Sequence, residues 1–380
     1  MKKRGGKFMK TLYFIIGTQA ELMKLFKVIN AARDRGYRCK IISSGQNDLL
    51  SCPYLQRANA QVDIDITAQS AKKKDTSSYL GWLIGTARNG KKLLKAYFTP
   101  ERRKEALCVV HGDTLTTTLG AWLCKSLKLP YVHIESGLRS FNFLSPFPEE
   151  FDRLYGSSYS VINFCPGKIH AEYAGKKFHG KAVDTVYNTG IETLYDAIEQ
   201  IGDSCHPQQP QNPYFMFMLH RQENIMNKKF VVNVVQKISQ MAHTMPCVFI
   251  YHEQTKNKMQ EFGCFDMLAA HPGVTLLPRQ NYLDFIRLVC HAEFIATDGC
   301  GNQQEFYYLG KPYLILRTAV EQNTEGLGWN AKVFGNDFEA LPKFLTEYRS
   351  YIKPRVVPKV LPSTIVVDSV DEWFRENRIE

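Results

Sequence analysis

Short runs such as Leu12-Tyr13-Phe14-Ile15-Ile16, Leu107-Cys108-Val109-Val110 and Cys247-Val248-Phe249-Ile250-Tyr251 are apolar at every position. A strand with one wet face alternates apolar and polar residues, so a continuously apolar run must be covered on both faces, as in a parallel sheet between layers of helix. The segments between the runs carry helical spacing. Leu22, Leu25, Val28 and Ile29 follow the first strand, and helices are predicted over Thr76–Phe98, near Thr116–Ser126, from about Glu149, and near Lys168–Ala174. Further strands are expected at Cys39–Ile42, Tyr131–Ile134 and Val161–Phe164. This alternation predicts a doubly wound α/β domain.

The stretch Gly202–Pro213 holds three prolines and little that is apolar, and it reads as a linker or surface loop. After it the alternation restarts. Strands are expected at Tyr214–Met218, Cys247–Tyr251, Val274–Leu277, Phe294–Ala296 and Tyr313–Leu316, with helices near Lys229–Met241 and Leu283–Cys290. The last segment spaces Ile365, Val366, Val370 and Trp373 like one helix face. The expectation is an α/β chain of two doubly wound Rossmann-like domains, 9–188 and 189–362, facing a cleft, followed by a C-terminal helix over 363–380. Ligands would then bind beyond the carboxyl ends of the strands.

Composition narrows the class. With 44% hydrophobic and 22% charged residues over 380 positions, disordered, collagen-like and coiled-coil chains are excluded. No run approaches the length of a membrane-spanning helix, so no membrane insertion is expected. The excess of 48 Lys+Arg over 37 Asp+Glu favours an anionic partner: nucleic acid, acidic lipid or a phosphorylated small molecule. Much of it lies in clusters such as Lys72-Lys73-Lys74 and Arg102-Arg103-Lys104, which read equally well as solvated surface. With no long basic block or nucleic-acid motif, a nucleic-acid partner is not expected. Ten cysteines in a chain of this size are no disulfide scaffold, and without a Cys-x-x-Cys pair neither a metal nor a cofactor is proposed. Met1-Lys2-Lys3-Arg4 imitates the start of a signal peptide, but the run Leu12–Ile16 is too short to complete one, so a reducing cytoplasm is the expected compartment.

Polar residues follow the strands where a ligand site would use them. One strand ends in His111-Gly112-Asp113-Thr114 and the next in His133-Ile134-Glu135-Ser136-Gly137-Leu138-Arg139; Glu149 comes 14 positions after Glu135. Three carboxylates at one sheet edge can perform acid/base work if their environments split their proton affinities. The alternative is that Asp113 is a helix N-cap and Glu149 a first-turn partner of a helix dipole. In the second half, His220-Arg221-Gln222-Glu223-Asn224 follows a strand, where His220 and Arg221 could meet a phosphate or form only local surface contacts. Asp298-Gly299-Cys300-Gly301 leads into a helix and reads either as a diphosphate cradle or as a plain turn. Gly17-Thr18 is a weaker signal of the same kind.

Taken together these segments resemble the UDP-N-acetylglucosamine 2-epimerase family, of glycosyltransferase-B fold. The resemblance rests also on Ser145-Pro146-Phe147-Pro148-Glu149-Glu150, Asn188-Thr189-Gly190, Tyr282-Leu283-Asp284-Phe285 and Leu309-Gly310-Lys311-Pro312, and it runs in order from Gly17 to about Trp373. It implies a UDP-sugar substrate, a homodimer, a final helix crossing back onto the first domain, and loss of UDP through a 2-acetamidoglucal intermediate to which UDP or water then adds. It places Asp113, Glu135 and Glu149 at proton transfer around C2 of the sugar and His220 by the diphosphate. Gly17, Gln19, Arg139, Arg221, Asp298, Gly299, Cys300, Gly301 and Glu305 fall at substrate-binding positions, with Glu305 at the ribose. Gln46 and His252 fall at a second, activating UDP-sugar site.

The chain also departs from the family pattern. Gly17-Thr18-Gln19-Ala20-Glu21 stands where Gly-Thr-Arg-Pro-Glu is usual, so a cation is replaced by Gln19. Glu321-Gln322-Asn323-Thr324-Glu325 lacks the second Arg, and Gly45-Gln46-Asn47-Asp48 keeps the Gln but not the His-Arg after it. A related nucleotide sugar, hydrolytic release of the free 2-epimeric sugar, a glycosyltransferase of the same fold and a non-catalytic binding protein stay open on these residues.

Overall fold

The structure, a computed structural model, describes residues 10–67, 76–141, 148–299, 301–317 and 328–377. It divides into two compact units, Met1–Thr193 with Pro358–Glu380, and Leu194–Val357. The chain passes to the second unit inside the helix Gly190–Ile201.

The first unit is built on seven strands: β1 (Thr11–Ile16), β2 (Arg38–Ser43), β3 (Val62–Asp65), β4 (Ala106–His111), β5 (Tyr131–Ile134), β6 (Ile162–Cys165) and β7 (Lys181–Asp184). They pair in parallel in the order β3-β2-β1-β4-β5-β6-β7. The central strands β1 and β4 are buried at every residue, as their continuous apolar runs required. Tyr13, Ile15, Cys108 and Val110 from these strands pack against Leu119, Leu123 and Leu127 of the helix Leu115–Leu127. Burying side chains of this size contributes roughly 1.5–3 kcal/mol each.

The second unit repeats the plan with β8 (Phe215–Met218), β9 (Cys247–Tyr251), β10 (Val274–Pro278), β11 (Ile295–Thr297), β12 (Tyr313–Ile315) and β13 (Ala331–Val333). The order is β10-β9-β8-β11-β12-β13, again parallel. Its core is aromatic: Phe215 stacks on Phe294 at 5.0 Å between ring centres, and Phe217 lies 4.8 Å from Phe249. Both sheets therefore have a switch point, between β1 and β4 and between β8 and β11, where successive connections leave to opposite sides.

Three strands, β3, β7 and β13, escape the apolar-run rule. They lie at sheet edges and are only partly buried, so their sequences carry no two-faced apolar signal. The C-terminal helix spans Pro362–Glu376 and belongs to the first unit. It buries Val366, Val367, Val370 and Phe374, a face turned slightly from the predicted one. Ser363 donates to Glu192 through N and Oγ (2.7 Å each), and Arg35 pairs with Asp368 and Asp371. Among the described residues the nine cysteines are free, no group of three His/Cys/Asp/Glu could hold a metal ion, and no helix is long and apolar enough to cross a membrane.

Candidate functional site

Both switch points collect polar side chains at the carboxyl ends of the strands. In the first unit, β1 runs into Gly17-Thr18, and Thr18 caps the helix Gln19–Asp34 in a reciprocal box with Glu21. Glu21 Oε2 accepts from the backbone N–H of Gly17 (2.8 Å) and Thr18 (2.7 Å), and Oε1 accepts from Thr114 Oγ1 (2.6 Å). The Gly17 amide thus serves Glu21, and the missing side chain serves close packing: a Cβ here would lie 1.9 Å from Thr116 Oγ1. Gln19 is turned to the neighbouring loop, donating to the Asp48 carbonyl (2.8 Å) and Ser51 Oγ (3.0 Å).

After β4, Gly112 turns the chain with φ +67° and presents Asp113. His133 Nε2–H donates to the Gly112 carbonyl (2.8 Å) and fixes this turn. Asp113 pairs with the buried Arg153, whose other nitrogen lies 3.7 Å from Glu150. Gln46 Oε1 accepts from Thr116 N (3.2 Å) and Oγ1 (2.7 Å), which sets it beside the Asp113–Thr114 turn. Glu149 opens the helix Glu149–Ser158.

Glu135 follows β5 with φ +68°, a left-handed conformation that a non-glycine residue keeps only where its surroundings demand it. Its Oε2 accepts from Lys24 Nζ (2.6 Å) and from Asn188 Nδ2, and lies 3.6 Å from His111 Nε2. Burial alone would raise the proton affinity of this carboxyl. The Lys24 ammonium, the His111 ring and the Asn188 amide outweigh burial and hold its pKa at about 2. His111 itself is buried, is pushed down to about 4 by desolvation, and has no hydrogen-bond partner for either ring nitrogen among the described residues.

In the second unit, Asp298 is fully buried after β11 and latches two turns together. Its Oδ1 accepts from His220 N (3.0 Å), and its Oδ2 accepts from Arg221 N (2.9 Å) and Asn224 Nδ2 (3.1 Å). The His220 ring stacks on His252, which follows β9, at 4.9 Å and 15° between planes. Gly299 makes this possible, since a Cβ there would lie 2.5 Å from His220 Cε1. Its amide donates to Thr297 Oγ1 (3.0 Å). Burial, assisted by Arg221 and Arg279, lowers the pKa of His220 against the pull of Asp298 and Glu223; burial and the His220 and Arg279 charges lower that of His252. Glu305 lies in the helix Gln303–Tyr308 and accepts from Tyr282 OH (3.3 Å).

The carboxylates Asp113 and Glu135, with Gln46, therefore gather at one switch point, and His220, Arg221, His252, Asp298 and Gly299 at the other. Arg139 is engaged elsewhere, with Glu150 and Tyr173. Gly301 precedes the helix Gln303–Tyr308, while Cys300, Ser145-Pro146-Phe147 and Gln322 lie outside the described residues. Sequence reading gave no role to Lys24, Arg153 or Arg279, and quoted His111 and Asn188 only as members of their motifs. Lys24 brings a cation to Glu135 although Gln19 is neutral.

The fold and these strand-end groups define an α/β protein of the two-Rossmann nucleotide-sugar class. The sequence profile of the UDP-N-acetylglucosamine 2-epimerase family matches residues 30–342, and the chain belongs to that family. It is 27% identical over 361 residues to the UDP-N-acetylglucosamine 2-epimerase of Methanocaldococcus jannaschii, covering 90% of this chain and 94% of that protein. It is also 27% identical over 235 residues, 58% of this chain and 61% of the relative, to a Pseudomonas aeruginosa 2-epimerase of UDP-2,3-diacetamido-2,3-dideoxy-D-glucuronate. The crystal structure of the Neisseria meningitidis UDP-GlcNAc 2-epimerase bound to UDP-GlcNAc shares the fold, with a TM-score of 0.79 at 24% identity over 95% of this chain and 100% of that one.

Proposed function

We propose that this chain epimerises a UDP-linked 2-acetamido sugar, UDP-N-acetylglucosamine or a close relative, at C2. The observation that carries the reading is the convergence of Asp113 and Glu135 on one sheet edge, with Glu149 starting the helix packed beside it. A C2–H is weakly acidic, so its removal needs a carboxylate base and a stabilised leaving group. In the proposed step a carboxylate takes the C2 proton, that electron pair forms the C1–C2 double bond, and the C1–oxygen bond breaks to release UDP. A proton returned to the other face of C2, with the diphosphate oxygen re-bonding to C1, gives the 2-epimer.

The environments divide the work. Glu135, ionised down to about pH 2, is a weak base and an oriented anion, which leaves proton transfer to Asp113 and Glu149. His220 and Arg221 are the groups proposed to meet the diphosphate. The P. aeruginosa relative indicates that C2 chemistry within this family reaches beyond one sugar, so the sugar is the open variable.

The test is to incubate the protein with UDP-N-acetylglucosamine in deuterated water and follow it by NMR. Deuterium at C2 with a UDP-linked 2-epimer is the expected result, and a free sugar plus UDP would mark the hydrolytic variant. No exchange and no product, with this and with related UDP-sugars, would overturn the reading.

A further inference from the structure

We propose that Asp152 is a positioning residue of this reaction, a buried carboxyl whose protonation sets the charge felt by Asp113 and Glu149. The inference rests on the epimerase reading above. Asp152 stands one helical turn after Glu149 in the helix Glu149–Ser158 and is 1% exposed. Its Oδ1 accepts from Thr118 Oγ1, and its Oδ2 has no hydrogen-bond partner among the described residues. Its chain neighbour Arg153 is the partner of Asp113.

A buried ionised carboxylate calls for donors to both oxygens, and one neutral hydroxyl is poor compensation. The surroundings lean the same way. Asp113 from the turn after β4 and Glu149 from the same helix repel a charge on Asp152; Arg153 and the Thr118 hydroxyl favour it. Toward the sheet, Ser157 of the helix meets His133, an imidazole kept neutral by burial. Glu150 is occupied by Arg139 and Ser140. Burial dominates, and the Asp152 pKa is pushed up to about 7.

Near neutrality Asp152 therefore switches between two states. As the neutral acid it leaves Arg153 to Asp113, which stays a paired carboxylate. As an anion it adds a negative charge facing Asp113 and Glu149, the two groups proposed to carry the C2 proton. This couples the rate to a group that need not touch the sugar.

The experiment is the pH profile of kcat, from acid to alkaline conditions, for the wild type, Asp152→Asn and Thr118→Val, together with the Asp Cγ NMR titration of 13C-aspartate-labelled protein. The wild-type profile is expected to inflect near pH 7. Asp152→Asn should lose that inflection and the matching NMR titration. Thr118→Val removes a donor that favours the anion and should move the inflection to higher pH. An unchanged profile in both variants, or an Asp152 resonance that titrates in the ordinary acidic range, would overturn the proposal. If Asp152→Asn does not fold, Thr118→Val still decides, because a merely structural aspartate predicts no shift of the inflection. The NMR titration reads the Asp152 proton even if no UDP-sugar turns over, so failure of this inference and failure of the substrate assignment are told apart.

Discussion

The two units share one topology and oppose each other in chemistry. Beyond β1, β4 and β5 the strand ends carry carboxylates, two of them tied to cations, Glu135 to Lys24 and Asp113 to Arg153, while Glu21 is held by backbone amides and a hydroxyl. Around β8 and β11 they carry imidazoles and arginines arranged about one buried carboxylate, Asp298, which is spent on backbone amides. A doubly wound sheet thus supplies only a place. On the proposed reading, proton chemistry falls to the side chains that follow the strands of the first unit and anion recognition to those that follow the strands of the second.

If that division is right, changes in the first unit should strike the chemical step hardest. Asp113→Asn, nearly isosteric and unable to accept the proton, should lower kcat by ~10³-fold, read as loss of C2 deuterium exchange. An unchanged exchange rate would break the comparison at its centre. Lys24→Met should come next, because it leaves Glu135 buried without its cation; a loss of about 3 kcal/mol of stability is expected by urea unfolding. The sign of its pH dependence follows from a depressed pKa. The stability that Glu135 gains from Lys24 is present above the ordinary carboxylate value of 4.5 and disappears as pH falls toward about 2. The gap between wild type and Lys24→Met should therefore narrow on acidification across that window.

In the second unit the effects should be smaller and fall on the leaving group. His220→Ala is expected to cost ~10²-fold in kcat, with UDP bound more weakly in calorimetry. Gly299→Ala should weaken UDP binding by about tenfold, or about 1.4 kcal/mol, by pushing the His220 ring off His252. If Gly299→Ala instead altered C2 exchange with UDP affinity intact, the two edges would not divide the labour as described.

Much of this was legible beforehand for identifiable reasons. Central strands are apolar on both faces wherever they occur, so β1, β4, β5, β8 and β9 announced themselves; the edge strands β3, β7 and β13, half wet, did not. Asp113, Glu135 and His220 could be named because they follow such strands in recognisable order. Their partners could not. Lys24 is 111 positions from Glu135, Asn188 is 53, and Arg153 is 40 from Asp113, and nothing local marks a lysine or asparagine as the far half of a pair. Asp152 stands close to Glu149 and Glu150, and nothing in its neighbours along the chain marks it as buried.

The sequence alone therefore determined the layered α/β plan, the two sheets and the residues that end their central strands, because burial on both faces writes itself into a short run of neighbours. Only the tertiary structure decided the charge state of those residues. Glu135 is held as an anion and Asp152 is pushed toward the neutral acid, although both are buried carboxyls in the same unit. The difference lies in what the folded chain brings to each: an ammonium and an amide to one, a single hydroxyl and two other carboxylates to the other. Proton affinity depends on neighbours in space, and those are set by the packing of distant segments.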